Sequence, residues 1–182
     1  MPGIQEGLCS RREITAWRDR EFDVQLSAKI QAEPNGVRLS IEEDYFLIES
    51  SDAEELARAL YEAVNVTVGN KAGYLVSPAR RETEVARSYR RRAGLWDYSA
   101  SATFLAIDAT DDLREQPGSK AISISVETIF DGGIQLVGNG WCCSFAMDDA
   151  VWMSNSLMEA AGQEPLDTFE TFYRAHSGRS RV

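Results

Sequence analysis

Two stretches of the chain show the same succession of periodicities. In the first, Val24, Leu26, Ala28 and Ile30 fall on every second position, followed by Val37, Leu39 and Ile41 and then by Phe46 and Ile48. Apolar residues two apart line one face of a strand, so three half-buried strands are predicted. The period then changes, and Ala53, Leu56, Ala57, Leu60 and Val64 keep helical spacing. Ser51-Asp52-Ala53-Glu54 reads as a capping-box start for that helix, with acidic residues in the first turn to complement its dipole. In the second stretch Ile122, Ile124, Val126 and Thr128 alternate, then Ile134 and Leu136, then Cys143 and Phe145; Ala150, Met153, Leu157 and Ala161 follow at helical spacing. Turn residues separate the strands. Pro34-Asn35-Gly36 and Asp131-Gly132-Gly133 stand at the first junction, where positive φ is expected. Glu42-Glu43-Asp44 and Gly138-Asn139-Gly140 stand at the second.

Residues 37–64 and 134–161 align without a gap at an offset of 97, with Asp52/Asp149, Ala53/Ala150, Leu60/Leu157, Glu62/Glu159 and Ala63/Ala160 identical. The expectation is an α+β fold of two repeated βββα units, each an antiparallel meander closed by a helix, with the sheet covered by helices on one face. The units span 21–69 and 119–162. Residues 1–20 are expected to hold a helix, on the cap pair Ser10 and Glu13 and the apolar edge Ile14 and Trp17. Residues 65–77 read as short strand pieces broken by Gly69 and Gly73. The connecting region 70–118 carries a predicted helix at 78–93, opened by Pro78 and closed near Gly94, a strand near 96–107 and a loop over 108–119. Leu166, Phe169, Phe172 and Tyr173 mark a last helix in 163–182, ahead of a polar tail.

Composition narrows the setting. At 182 residues and 43% hydrophobic content the chain is long enough to bury a core without disulfides or metal. A net charge of −10 disfavours non-specific attraction to nucleic acid or anionic lipid and suits a basic partner. Cys9, Cys142 and Cys143 are odd in number, and adjacent cysteines on a strand point apart, so reduced thiols and a cytoplasmic location are expected. The first residues hold no apolar run of signal-peptide type, and no stretch is long and apolar enough for a membrane span.

Candidate chemistry is sparse. The single histidine, His176, lies near the C-terminus and leaves little scope for Ser-His-Asp or Cys-His catalysis. The Cys and His spacings fit no zinc pattern, no Walker loop is present, and no cofactor is expected. Asp108, Asp111 and Asp112 gather carboxylates that could hold a divalent cation, yet without full calcium-loop spacing; a small carboxylate or metal enzyme is therefore an alternative with little behind it. The one basic feature is the segment from Arg80 to Arg92. Residues 71–100 carry a net +4, and on a helix Arg80, Arg87 and Arg91 would share a face with Arg90 beside it, suited to an anion, an acidic partner or nucleic acid. Glu84 lies within that stripe and makes a self-paired, solvated face the plainer account.

The two aligned segments differ in surface character. Asp44 and Glu55 of the first are matched by Trp141 and Trp152 of the second, and the segments carry −6 and −3. Trp152 falls nearly opposite the Ala150-Met153-Leu157-Ala161 face, where it meets either the C-terminal helix or a partner. These features lead to the expectation of a non-enzymatic protein-binding module, regulatory or inhibitory in character. Glu42, Glu43, Asp44, Glu49, Glu54 and Glu55 would steer a basic protein, and Trp141 and Trp152 would supply apolar contact to that protein or to a second copy of the chain. One form of this is an acidic inhibitor filling the nucleic-acid groove of a DNA- or RNA-acting enzyme; direct nucleic-acid binding through the arginine segment is the alternative from another class.

Overall fold

The computed structural model describes residues 8–18, 21–72, 86–92, 95–111, 121–129, 133–138 and 141–166. They form a mixed α+β fold with a large antiparallel sheet and two helices. The strands are β1 (Cys9–Arg18), β2 (Glu21–Glu33), β3 (Gly36–Ile41), β4 (Asp44–Ile48), β5 (Ala86–Arg92), β6 (Leu95–Leu105), β7 (Asp108–Ala109), β8 (Ala121–Thr128), β9 (Ile134–Gly138) and β10 (Trp141–Phe145); the helices are α1 (Ser50–Ala72) and α2 (Met147–Ala160). The order across the sheet is β5-β6-β8-β9-β10-β1-β2-β3-β4-β7.

Period-two alternation decides which face is buried. Ile14 of β1 lies opposite Leu26 of β2, Ile30 opposite Leu39 of β3, and Leu39 opposite Phe46 of β4. On the other half, Ala100 meets Val126, Val126 meets Leu136 and Leu136 meets Cys143. All of these are buried and belong to one continuous core with both helices. Most of the intervening positions are polar. Thr15, Gln25, Ser27, Ser101 and Thr103 are exposed, with Gln25 donating to Thr15 Oγ1 at 2.7 Å and the hydroxyls of Thr103 and Ser123 3.3 Å apart. An antiparallel sheet with one face on the core and one in water gives this pattern.

The sheet cannot be flat. β6 is second in the order and β7 is tenth, a separation of roughly 38 Å at about 4.8 Å per strand. Yet only Ala106 and Ile107 connect them, and three Cα steps reach no more than about 11 Å. The sheet therefore curls until the end of β6 lies beside β4, and the link is sealed by Ile107 N–H donating to Leu47 O at 2.7 Å and Thr110 N–H to Tyr45 O at 2.9 Å. Helix α1 lies mainly against β6 and β8, α2 against β2 and β1, and the helices pack on each other. At their crossing Ser154 Oγ donates to Ala57 O at 2.7 Å. Gly162, at φ 78°, closes α2 in the left-handed cap that glycine favours, its N–H reaching Glu159 O at 3.0 Å and that of Gln163 reaching Met158 O at 2.9 Å.

Four expectations are corrected. Residues 10–20 were expected to be helical, but the described part is β1: Ile14 and Ala16 are buried while Arg11, Glu13 and Thr15 are exposed, a period of two that pairing with β2 rewards. Residues 65–72 are not strand pieces. α1 continues through Gly69 because Val64, Val66, Thr67 and Val68 are buried on its faces, and tertiary burial overrides their β-branched preference. The basic segment is not a helix where it is described. Residues 86–92 form β5, which pairs with β6 from Ala86 opposite Ser101 to Arg92 opposite Leu95; Arg80 and the rest of 78–85 lie outside the described residues, as do most of the expected last helix and His176. Finally, positive φ among the described residues occurs at Glu42 and Gly162, not in the 34–36 turn. Gly36 is required for close approach instead, since a Cβ there would sit 2.1 Å from Ile48 O and 3.3 Å from Ile107 Cδ1.

Candidate functional site

The seam where β6 returns to β4 is the most distinctive surface. Leu105 and Ile107, 70% and 38% exposed, are the exposed large hydrophobic residues among those described. Their exposure follows from sequence and topology together. In Thr103-Phe104-Leu105-Ala106-Ile107 the apolar run is unbroken, so alternation cannot bury every member; Phe104 and Ala106 take the core side and Leu105 is left outside. That run was the signal available in the sequence.

A polar line runs across β7, β4 and β3 on the same outer face. Asp108 follows Ile107 and lies opposite Leu47, and its Oδ2 accepts the Tyr45 hydroxyl at 3.0 Å. Arg38 stacks its guanidinium 4.6 Å from the Tyr45 ring centroid and pairs through Nε with Glu33 Oε1 at 3.1 Å. The stack holds both large side chains in place at little further entropic cost. Exposed aliphatic side chains that share a face with a stacked tyrosine and arginine resemble the composition of a protein interface.

The carboxylates expected to form an acidic surface differ in exposure. Asp44 is buried, 8% exposed, because β3 and β4 close around it opposite Ile41, which corrects its assignment to the surface. Glu42 is exposed, but its carboxylate accepts the Ser27 N–H at 2.5 Å while its own N–H donates to Ser27 O at 2.9 Å; these bonds hold the turn in its left-handed conformation. Glu43 and Glu49 are exposed, and Glu54 and Glu55 are half-buried on α1. Trp152 is half-buried and packed against the core, because the sheet and α1 bury α2 on more than one side. Trp141 begins β10 opposite Gly138, and its side chain lies outside the described residues. In β5, Arg87 lies opposite Ala100, Arg90 opposite Asp97 and Arg91 opposite Trp96; Arg90 is exposed.

Two further polar contacts are internal. Arg12 joins β1 to the start of α2, with Nε 2.8 Å from Asp149 Oδ1 and Nη2 3.3 Å from Asp148 Oδ2. Burial raises the Asp149 carboxyl above its ordinary range; the Arg12 hydrogen bond opposes this, the Asp148 charge adds to it, and the Arg12 charge and a backbone bond from Thr15 oppose it again. Tyr98, 2% exposed on β6, donates its hydroxyl to Glu62 Oε2 of α1 at 2.6 Å. Both contacts tie a helix to the sheet. Of the acidic group Asp108, Asp111 and Asp112, Asp108 is engaged by Tyr45 and Asp112 lies outside the described residues. Among the described residues no group of His, Cys, Asp and Glu is arranged to hold a metal ion, and no helix is long and apolar enough to cross a membrane. Comparison with protein-family models, with curated proteins and with solved structures finds no match.

Proposed function

We propose that this chain is a non-enzymatic protein-binding module that presents the β4–β6 seam to a partner. The observation that carries the reading is the exposure of Leu105 and Ile107 on the sheet face that also carries the Arg38–Tyr45 stack. Covering Leu105 supplies about 1–2 kcal/mol and covering the rest of Ile107 about 0.5–1 kcal/mol, in proportion to their exposure, and the arginine and tyrosine supply orientation. The net charge of −10 favours a basic partner and speeds its encounter. The test is affinity capture from the native host with identification by mass spectrometry, comparing the wild type with Leu105→Asp and with Thr15→Ala on a remote part of the exposed face. The reading requires a basic protein that is recovered by the wild type and by Thr15→Ala and lost with Leu105→Asp. Equal recovery by all three would overturn it.

We also infer that the chain carries one unit twice, and that it resides in the cytoplasm. The orders β2-β3-β4-α1 and β8-β9-β10-α2 support the repeat, as does the exchange of helices: α1 packs on β6 and β8, α2 on β1 and β2. Ser154 and Ala57, which meet at the helix crossing, are 97 positions apart, the offset at which the sequences align. The odd number of cysteines, and the opposite directions of Cys142 and Cys143 as neighbours on β10, support a reducing compartment.

A further inference from the structure

The two ends of the sheet differ in kind. At one, β7 is two residues long and is held by the β6 link. At the other, β5 is seven residues long and pairs on one side with β6, with no strand on its other side among the described residues. Along an antiparallel strand, alternate residues direct N–H and C=O toward the neighbour and the others direct them away. Among the described residues β5 therefore offers a ladder of backbone donors and acceptors to an added strand.

Its sequence, ARSYRRR, concentrates arginine at 87, 90, 91 and 92 in a chain whose net charge is −10. Asp97, opposite Arg90, offsets one of these charges in the register. Positive charge on an edge strand guards against self-association, because a second β5 brought alongside would place arginines against arginines. The same charge selects what does pair. We propose that β5 is a docking edge for an extended acidic peptide segment of a partner, which adds as a further strand and sets carboxylates against the arginines.

A peptide fits this edge better than a single-stranded nucleic acid does. A strand returns hydrogen bonds at the spacing the β5 backbone offers, whereas a phosphodiester chain has no backbone donors to return. A polyanion longer than β5, which spans about 23 Å at strand rise, would also run onto a chain of opposite preference. The docking edge is a different surface from the seam, so Leu105→Asp must leave it unchanged.

The test uses a fluorescein-labelled peptide of alternating glutamate and valine, about as long as β5. Three probes accompany it: the same peptide N-methylated at alternate residues, its lysine–valine counterpart, and an oligothymidylate. Fluorescence anisotropy should show saturable binding of the glutamate peptide in the micromolar range, weakened by salt. N-methylation keeps the charge and removes the ladder, and should weaken binding about tenfold or more. The lysine peptide should not bind. Arg87→Gln with Arg91→Gln should weaken binding about fivefold or more without moving the thermal midpoint. Binding of the N-methylated peptide as tight as its parent, preference for the oligothymidylate, or no saturation by the glutamate peptide would each overturn the proposal.

Discussion

Replacing Arg12 by Met keeps most of the side chain's apolar stem and removes its guanidinium. The bond to Asp149 joins a half-exposed arginine to a carboxylate only 8% exposed, whereas the contact to Asp148 at 3.3 Å is to a side chain 62% exposed. The second is worth little in water. The first is a hydrogen bond to a charged, buried group, and its loss should cost about 2 kcal/mol near neutral pH. For a chain of this size that lowers the thermal midpoint by about 4–8 °C. The sign of the pH dependence follows from the raised Asp149 carboxyl. The folded state holds that proton more readily than the unfolded chain, so the associated stability is fully present below the unfolded value of 3.8 and is lost as pH rises through the folded value. Removing Arg12 deletes two influences that lower the folded value, so it rises further and the loss extends over a wider pH range. Urea denaturation followed by circular dichroism, at pH 4 and near neutrality, should give a small loss in acid and the larger one at neutral pH. In an Asp149→Asn background the same substitution should cost little at either pH. A loss independent of pH, or undiminished in that background, would refute the account of Asp149 as a buried carboxylate held charged by Arg12.

Gly36→Ala should destabilise by more than about 3 kcal/mol, since the new Cβ meets backbone rather than a mobile side chain, while Asn35→Ala beside it should stay within about 0.5 kcal/mol in the same urea titration. Tyr98→Phe removes the donor to Glu62 at a buried position and should cost about 1–3 kcal/mol by denaturant midpoint; no change would mean that the contact contributes nothing to holding α1 on β6. Leu105→Asp should change stability by no more than about 0.5 kcal/mol, because the side chain is already in water; a large loss would show that it belongs to the fold rather than to an interface.

Much of the local structure was legible. Alternation at Val24–Ile30, Val37–Ile41 and Ile122–Val126 lies within strands, and the change of period at Ala53 and Ala150 marks helices. The errors have a common cause. Ile14 and Trp17 are spaced for a helix, yet β1 forms because a paired neighbour exists in β2. The β-branched run Val64-Asn65-Val66-Thr67-Val68 favours a strand, yet it lies in a helix enclosed by sheet and second helix. The arginine segment suits either period, and the hairpin to β6 selects the strand. In each case a distant partner, invisible in the local pattern, decided between two allowed conformations.

The candidate site was less legible than the fold. Tyr45, Arg38 and Asp108 are ordinary residues in separate segments, Asp44 was expected on a surface and is buried, and Trp152 is partly covered by the core. By itself the sequence determined which residues seek the core, through periodicity, and a negative charge, through composition. Only the tertiary structure decided that β6 should end beside β4, because a two-residue link cannot cross a flat sheet and the sheet must bend to it. That bend leaves Leu105 exposed and Ile107 partly exposed on the face that carries Tyr45 and Arg38, and no local rule of sequence contains it.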